Sequence, residues 1–74
     1  MVFNNELDFS VLKKYGFKQQ ECMGERFWTI EYKKGRGYYE YITIAEEDRK
    51  VQINAIKLTS VLYDLLKDRV VVKE

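Results

Sequence analysis

The chain has 74 residues, 13 basic and 12 acidic side chains, a net charge of +1 and no histidine. This length predicts a single small domain, residues 1–74, with a modest core. The balanced charge provides no overall field that would attract nucleic acid or an anionic membrane. Without histidine the commonest general base and a usual metal ligand are missing. We therefore expect no catalytic residue, no metal, no cofactor and no enzymatic activity.

Localisation is indicated by three features of the sequence. No apolar run approaches the roughly 20 residues that a bilayer-spanning helix needs. The first ten residues are polar and acidic and lack the pattern of a signal peptide. Cys22 is the only cysteine, so no intramolecular disulfide can form, as is usual in reducing compartments. These features predict a cytoplasmic protein with no membrane partner.

The first predicted element is a short helix over residues 8–17, DFSVLKKYGF, with a signal at each end. Asp8 can accept hydrogen bonds from the N–H groups of the first turn. Gly16 can adopt the left-handed conformation just past the last turn. Phe17 then lies where it can contact Leu12, which is the apolar closure of a Schellman motif.

Four extended segments are predicted next. Residues 17–22, FKQQEC, form a short polar edge strand, and Met23-Gly24-Glu25 turns the chain. Three segments with alternating apolar residues follow, and the acidic stretch 45–48 forms a turn between the last two. They cover residues 26–33, 38–44 and 50–55. The alternation places one set of side chains on a common buried face: Trp28, Ile30, Ile42, Ile44, Val51 and Ile53.

The strand register follows from the loop between the first two of these strands. A three-residue loop, residues 35–37, sets Ile30 opposite Ile42 and leaves the tyrosines on the other face. A two-residue loop would set Ile30 opposite Tyr41 and move Ile42 to the polar face, because a slip of one residue exchanges the faces. The three-residue loop gives the better core and uses Gly37 as its left-handed last residue.

Residues 59–68, TSVLYDLLKD, predict a second helix, with Thr59 as its N-cap and an apolar stripe that includes Leu58, Leu65 and Leu66. The β-branched tail, residues 70–73, predicts either a short strand or packed extended chain. The fold class is therefore α+β. We expect three to four antiparallel strands with two helices packed on one face, in the order α-(β)-β-β-β-α, with a possible C-terminal strand.

The candidate binding surface comes from the stretch EYKKGRGYYEY, residues 31–41. Three basic residues lie at the hairpin tip and two tyrosines on the outer face of the sheet: Lys33, Lys34, Arg36, Tyr39 and Tyr41. Tyrosine is favoured where proteins contact each other. Aromatic rings beside a basic loop could instead stack nucleic-acid bases. We expect Glu31 and Glu40 to lie close by and to dilute the positive charge.

The first hypothesis is a non-enzymatic interaction module, which binds a protein partner or a second copy of itself. A homodimer could form through the tyrosine face or through an exposed strand edge, and it would supplement a small core. A nucleic-acid-binding protein that uses the basic hairpin is the second hypothesis. A small enzyme is the third and the least favoured, because there is no histidine to activate Cys22.

Two resemblances accompany this interpretation. The helix–strand–strand–strand–helix outline resembles the double-stranded-RNA-binding domains, but that family carries a lysine-rich cluster at the start of its second helix. The corresponding segment here, residues 54–60, has one lysine, so the activity is not carried over. The stretches LKKYGF, ITIAEEDRKVQI and LYDLLKD resemble small uncharacterised proteins of Gram-positive bacteria and their phages. Some phage proteins of this size bind host proteins, which favours the interaction module.

Overall fold

The computed structural model describes residues 1–74 and has an α+β architecture with two antiparallel sheets and two helices. The main sheet has four strands in the order β2-β3-β4-β5, and the second pairs β1 with β6. In chain order the elements are β1 (Val2–Phe3), a 3₁₀ helix (Phe9–Tyr15), β2 (Lys18–Cys22), β3 (Glu25–Lys33), β4 (Tyr39–Ala45), β5 (Val51–Asn54), α1 (Thr59–Lys67) and β6 (Val71–Val72). The C-terminal strand thus joins an N-terminal strand that the sequence does not predict, and it does not extend the main sheet.

The predicted register of the central strands is confirmed. Ile30 pairs with Ile42, and Trp28 pairs with Ile44. Gly37, the last loop residue, has φ of 81°, the left-handed value that the three-residue loop requires. The next hairpin continues the same face, because Ile42 also pairs with Ile53 and Ile44 with Val51.

The ends of the 3₁₀ helix are formed as the sequence predicts. The Asp8 carboxylate accepts a hydrogen bond from the Ser10 N–H at 2.8 Å. At the other end Gly16 has φ of 94°, and the Phe17 N–H donates to the Leu12 carbonyl at 3.2 Å. This is the backbone pattern of a Schellman motif. Leu12 and Phe17 are both buried in the core.

The start of α1 differs from the prediction. Thr59 is the first helical residue and not the N-cap, and its hydroxyl donates to the Ile56 carbonyl at 2.9 Å. The N-cap position is Leu58, which has no side chain that can bind the first-turn N–H groups. Leu66 is 42% exposed and lies off the buried stripe, whereas Leu65 is fully buried. The first-turn N–H groups of α1 therefore have no side-chain cap.

One hydrophobic core joins the sheets and the helices. Both ends of the chain contribute side chains to this core. Phe3 and Val71 are each only 1% exposed, and Phe3 stacks on Phe9 with ring centroids 4.5 Å apart. The terminal sheet therefore covers part of the core that the central strands alone would leave open. The buried core residues are Phe3, Leu12, Phe17, Trp28, Ile42, Ile44, Leu58, Leu65, Val70 and Val71.

Candidate functional site

Glu40 binds the segment that leads into α1. It lies in β4 opposite Tyr32, on the same face as Ile42, and is only 3% exposed. Its Oε1 atom accepts hydrogen bonds from the backbone N–H groups of residues 56, 57 and 58 at 2.6, 2.5 and 3.1 Å. Its Oε2 atom accepts one from the Tyr38 hydroxyl. The carboxylate thus ties the central sheet to the segment 16 to 18 residues later, which leads directly into α1.

These hydrogen bonds decide the ionisation of Glu40. Burial alone would raise its pKa, because a buried carboxylate loses its hydration. The Tyr38 hydroxyl and the three backbone N–H groups act in the opposite direction, and together they hold the pKa of Glu40 below its usual value. Glu40 is therefore a buried anion. The prediction that it dilutes the charge of the basic hairpin is wrong, because its side chain lies on the opposite face of the sheet from Tyr39 and Tyr41.

On the outer face, the residues predicted as a binding surface are partly brought together. Lys33 pairs with Tyr39, and the lysine Nζ lies 5.5 Å from the centre of the tyrosine ring. The rings of Tyr39 and Tyr41 are 5.6 Å apart and tilted by 35°. Tyr39 is 44% exposed and Tyr41 is half-buried. The three side chains form one contiguous patch, called here the tyrosine patch.

Glu31 is the acidic member of this patch. Its carboxylate accepts a hydrogen bond from the Tyr39 hydroxyl at 3.1 Å and lies 3.5 Å from the Lys33 ammonium. Partial burial, and then this hydrogen bond, raise the pKa of Tyr39. The dilution of positive charge that the sequence predicts for Glu31 is therefore present, and Lys33 already has an anionic neighbour.

The other two basic residues are placed differently. Lys34 and Arg36 are exposed at the hairpin tip, and no side-chain hydrogen bond, ion pair or cation–π contact joins either one to the tyrosines. Lys34 closes the loop through its backbone, because its N–H donates to the Tyr38 carbonyl at 3.3 Å. The structure thus divides the five predicted residues into a tyrosine patch with Lys33 and a solvated basic tip.

The other end of the outer face carries a groove of about 330 Å³. Phe27 and Thr43 lie in it beside charged residues of both signs. The charged lining consists of Glu25, Arg26, Glu47, Asp48 and Lys50. This mixed lining does not continue the positive charge of the hairpin tip along the sheet, as a track for a nucleic-acid backbone would.

Glu40 is the charged residue that the sequence interpretation places wrongly. Its signal was present: the alternation that predicts Ile42 and Ile44 as buried also puts Glu40 on the apolar face. A charged residue at such a position requires partners. The identity of those partners depends on how the segment before α1 folds over the sheet, which the alternation does not contain.

Comparisons with protein-family models, with curated proteins and with solved structures give no match to this chain. Neither helix combines the length and the apolar character that a membrane crossing requires. No group of three or more histidine, cysteine, aspartate or glutamate side chains is arranged to hold a metal ion.

Proposed function

We propose that this chain is a non-enzymatic interaction module that binds protein, including a second copy of itself, through surfaces of its main sheet. The tyrosine patch carries the proposal. Tyr39 and Tyr41 are adjacent rings on an uncovered strand pair, and Tyr39 exposes 44% of its surface. Paired tyrosines supply a large contact area with few rotatable bonds, so binding immobilises little side-chain entropy.

The layering of the domain supports an open outer face. We propose that the 3₁₀ helix and α1 both cover the face that bears Ile42 and Ile44. Leu12 and Leu65, one from each helix, are fully buried in the same core as these two isoleucines. In this arrangement the tyrosine patch faces away from both helices and remains accessible to a partner.

The hydrogen bonds of Glu40 support a non-catalytic role. Glu40 is a buried carboxylate, but its two oxygens accept four hydrogen bonds from the protein and are not free to take a proton from a substrate. The sequence has no histidine to act as a general base. We also propose a cytoplasmic location, which is supported by the single exposed free thiol of Cys22.

Capture experiments with matched variants test the proposal. The wild type, a Tyr39→Ala/Tyr41→Ala double variant and a Tyr63→Ala control are immobilised and exposed to extract of the cells that produce the protein. Tyr63 is a suitable control because it is a tyrosine of α1 that is 66% exposed. We expect the wild type and the control to retain the same protein and the double variant to lose it. Equal retention by all three would contradict a role for the patch.

A nucleic-acid-binding role is the second candidate. Lys33 above the Tyr39 ring, next to the exposed Lys34 and Arg36, is the observation that favours it. Titration with single- and double-stranded nucleic acid at two salt concentrations tests this role, because phosphate contacts weaken as salt rises. Binding that is lost in a Lys33→Ala/Lys34→Ala/Arg36→Ala variant would support it. Absence of binding by the wild type at low salt would exclude it.

A further inference from the structure

The strand β2 has an unpaired edge. It is the outermost strand of the main sheet and pairs only with β3, through five consecutive residue pairs from Lys18–Thr29 to Cys22–Glu25. All five of its residues are exposed, and no backbone hydrogen bond outside that strand pair involves Lys18–Cys22. Alternate N–H and C=O groups of an antiparallel edge strand point away from its neighbour, so those of β2 are open to pairing.

The opposite edge of the sheet is different. The N–H of Val51, the first residue of β5, donates to the Met1 carbonyl at 3.2 Å, and Val2 forms a bridge with Lys50. The N-terminal segment thus occupies the beginning of that edge. The β2 edge lacks a proline, and its regular pairing with β3 shows no bulge, so it has neither of these two devices that protect exposed edges.

We propose that β2 pairs with β2 of a second copy of this chain, antiparallel and about a two-fold axis that passes beside Gln20. This inference rests on the self-association in the proposed function, but it assigns that association to the sheet edge and not to the tyrosine patch. A two-fold axis perpendicular to the sheet gives an isologous contact, and it joins the two four-stranded sheets into one continuous sheet.

The register follows from the sequence of the strand. Facing residues must lie on the same face of the sheet, so the axis can pass beside Gln19, Gln20 or Glu21 but not between two of them. An axis beside Glu21 would oppose two carboxylates, and one beside Gln19 would leave Glu21 and Cys22 without partners in β2 of the second copy. The axis beside Gln20 pairs every residue of β2.

In this register no like charges face each other. Lys18 faces Cys22 of the second copy, and Gln19 faces Glu21, so an amide donor meets a carboxylate acceptor. The Gln19 amide already donates to Glu46 at 2.7 Å and has a second N–H for this contact. The two Gln20 side chains face each other across the axis.

An engineered disulfide tests the register directly. In a Cys22→Ser background, Gln20→Cys places two thiols on facing residues, whose Cα atoms are about 4.5–5.5 Å apart and within the range of a disulfide. Gln19→Cys is the matched control, because its copy lies two residues further along, at a Cα distance of about 8 Å. We expect mild oxidation to give a covalent dimer of Gln20→Cys only. Equal cross-linking of both variants, or of neither, would overturn the register.

Sedimentation of charge variants tests the edge itself. Gln20→Lys sets two new lysines opposite each other and diagonal to Lys18 of the other copy, and we expect the dimer to weaken about tenfold at low salt. Gln52→Lys is the control, since Gln52 is an exposed glutamine on the other edge strand. Circular dichroism shows whether each variant is folded.

Each result of these experiments discriminates between the proposals. A dimer that Gln20→Lys weakens and Gln52→Lys preserves supports pairing through β2. If Tyr39→Ala/Tyr41→Ala dissociates the dimer and Gln20→Lys does not, pairing through the β2 edge is overturned and association through the tyrosine patch is supported. A wild type that stays monomeric at millimolar concentration would overturn self-association altogether, and the capture experiment would still decide whether the chain binds another protein.

Discussion

Replacement of Ile42 by alanine tests the strand register on which the outer tyrosine patch depends. Ile42 is fully buried in the middle of the sheet, between Ile30 and Ile53. The substitution removes three carbon atoms, which at about 0.8 kcal/mol for each buried carbon corresponds to about 2.4 kcal/mol. A residual cavity of about 60 Å³ adds about 1.5 kcal/mol at 24 cal/mol per Å³. The expected loss of unfolding free energy is therefore about 3–4 kcal/mol.

This loss is large for a chain of this size. A domain of 74 residues has a total unfolding free energy of roughly 4–11 kcal/mol. The melting temperature should fall by roughly 15–30 °C in a thermal scan followed by circular dichroism. Chemical denaturation at 25 °C gives the free energy directly, provided that the variant is still folded without denaturant.

Thr43→Ala is the matched control. Thr43 is the next residue of β4, lies on the outer face and shares a hydrogen bond with Thr29 at 3.2 Å. Its replacement should cost about 1 kcal/mol or less. A slip of one residue in the register would exchange the faces of Ile42 and Thr43. If Thr43→Ala destabilised the chain as much as Ile42→Ala, the register and the outward placement of Tyr39 and Tyr41 would both be refuted.

Three further predictions concern the helix ends. Glu40→Gln should destabilise the chain at pH 7 and make its stability less dependent on pH below 4.5. A carboxylate whose pKa is lowered by folding stabilises the fold above its unfolded pKa, here 4.5. This stabilisation is lost as the pH falls through the pKa of the folded state. Urea titrations at several acidic pH values should show a steeper decline for the wild type, and parallel curves would contradict the role of Glu40. The hydrogen bond from Tyr15 to Asp68, at 2.6 Å, raises the pKa of Tyr15 to about 12, so its contribution should be present below pH 10 and disappear between pH 10 and 12. Tyr15→Phe should therefore narrow the difference in stability between pH 9 and pH 12, and an unchanged difference would argue against this bond. Gly16→Ala should cost about 1–2 kcal/mol for its left-handed backbone, as should Gly24→Ala. Gly16→Ala should cost more in denaturation experiments, because only there would the new Cβ lie 3.2 Å from a side chain, that of Ile30.

The pairing of the two terminal strands, β1 and β6, could not be predicted from the sequence. β1 and β6 have two residues each, and such a length carries no periodic signal. Their pairing joins Val2 to Val72 across almost the whole chain. The β-branched tail indicates extended structure, but the choice between the main sheet and a separate one depends on which edge is free once the chain has folded. The N-terminal segment bonds to Val51 and occupies part of the β5 edge.

Local sequence patterns are sufficient to predict the central sheet and its two faces. The alternation in β3 and β4, together with a loop that ends at Gly37, allows one register in which Ile30 meets Ile42, and this information is local. The signals for the ends of the 3₁₀ helix are also local, because Asp8 and Gly16 each act within one helical turn. The segment that leads into α1, residues 56–58, depends instead on a contact between distant parts of the chain. The N–H groups of these residues donate to Glu40, 16 to 18 residues earlier in the chain, because a buried carboxylate is costly unless it is hydrogen-bonded.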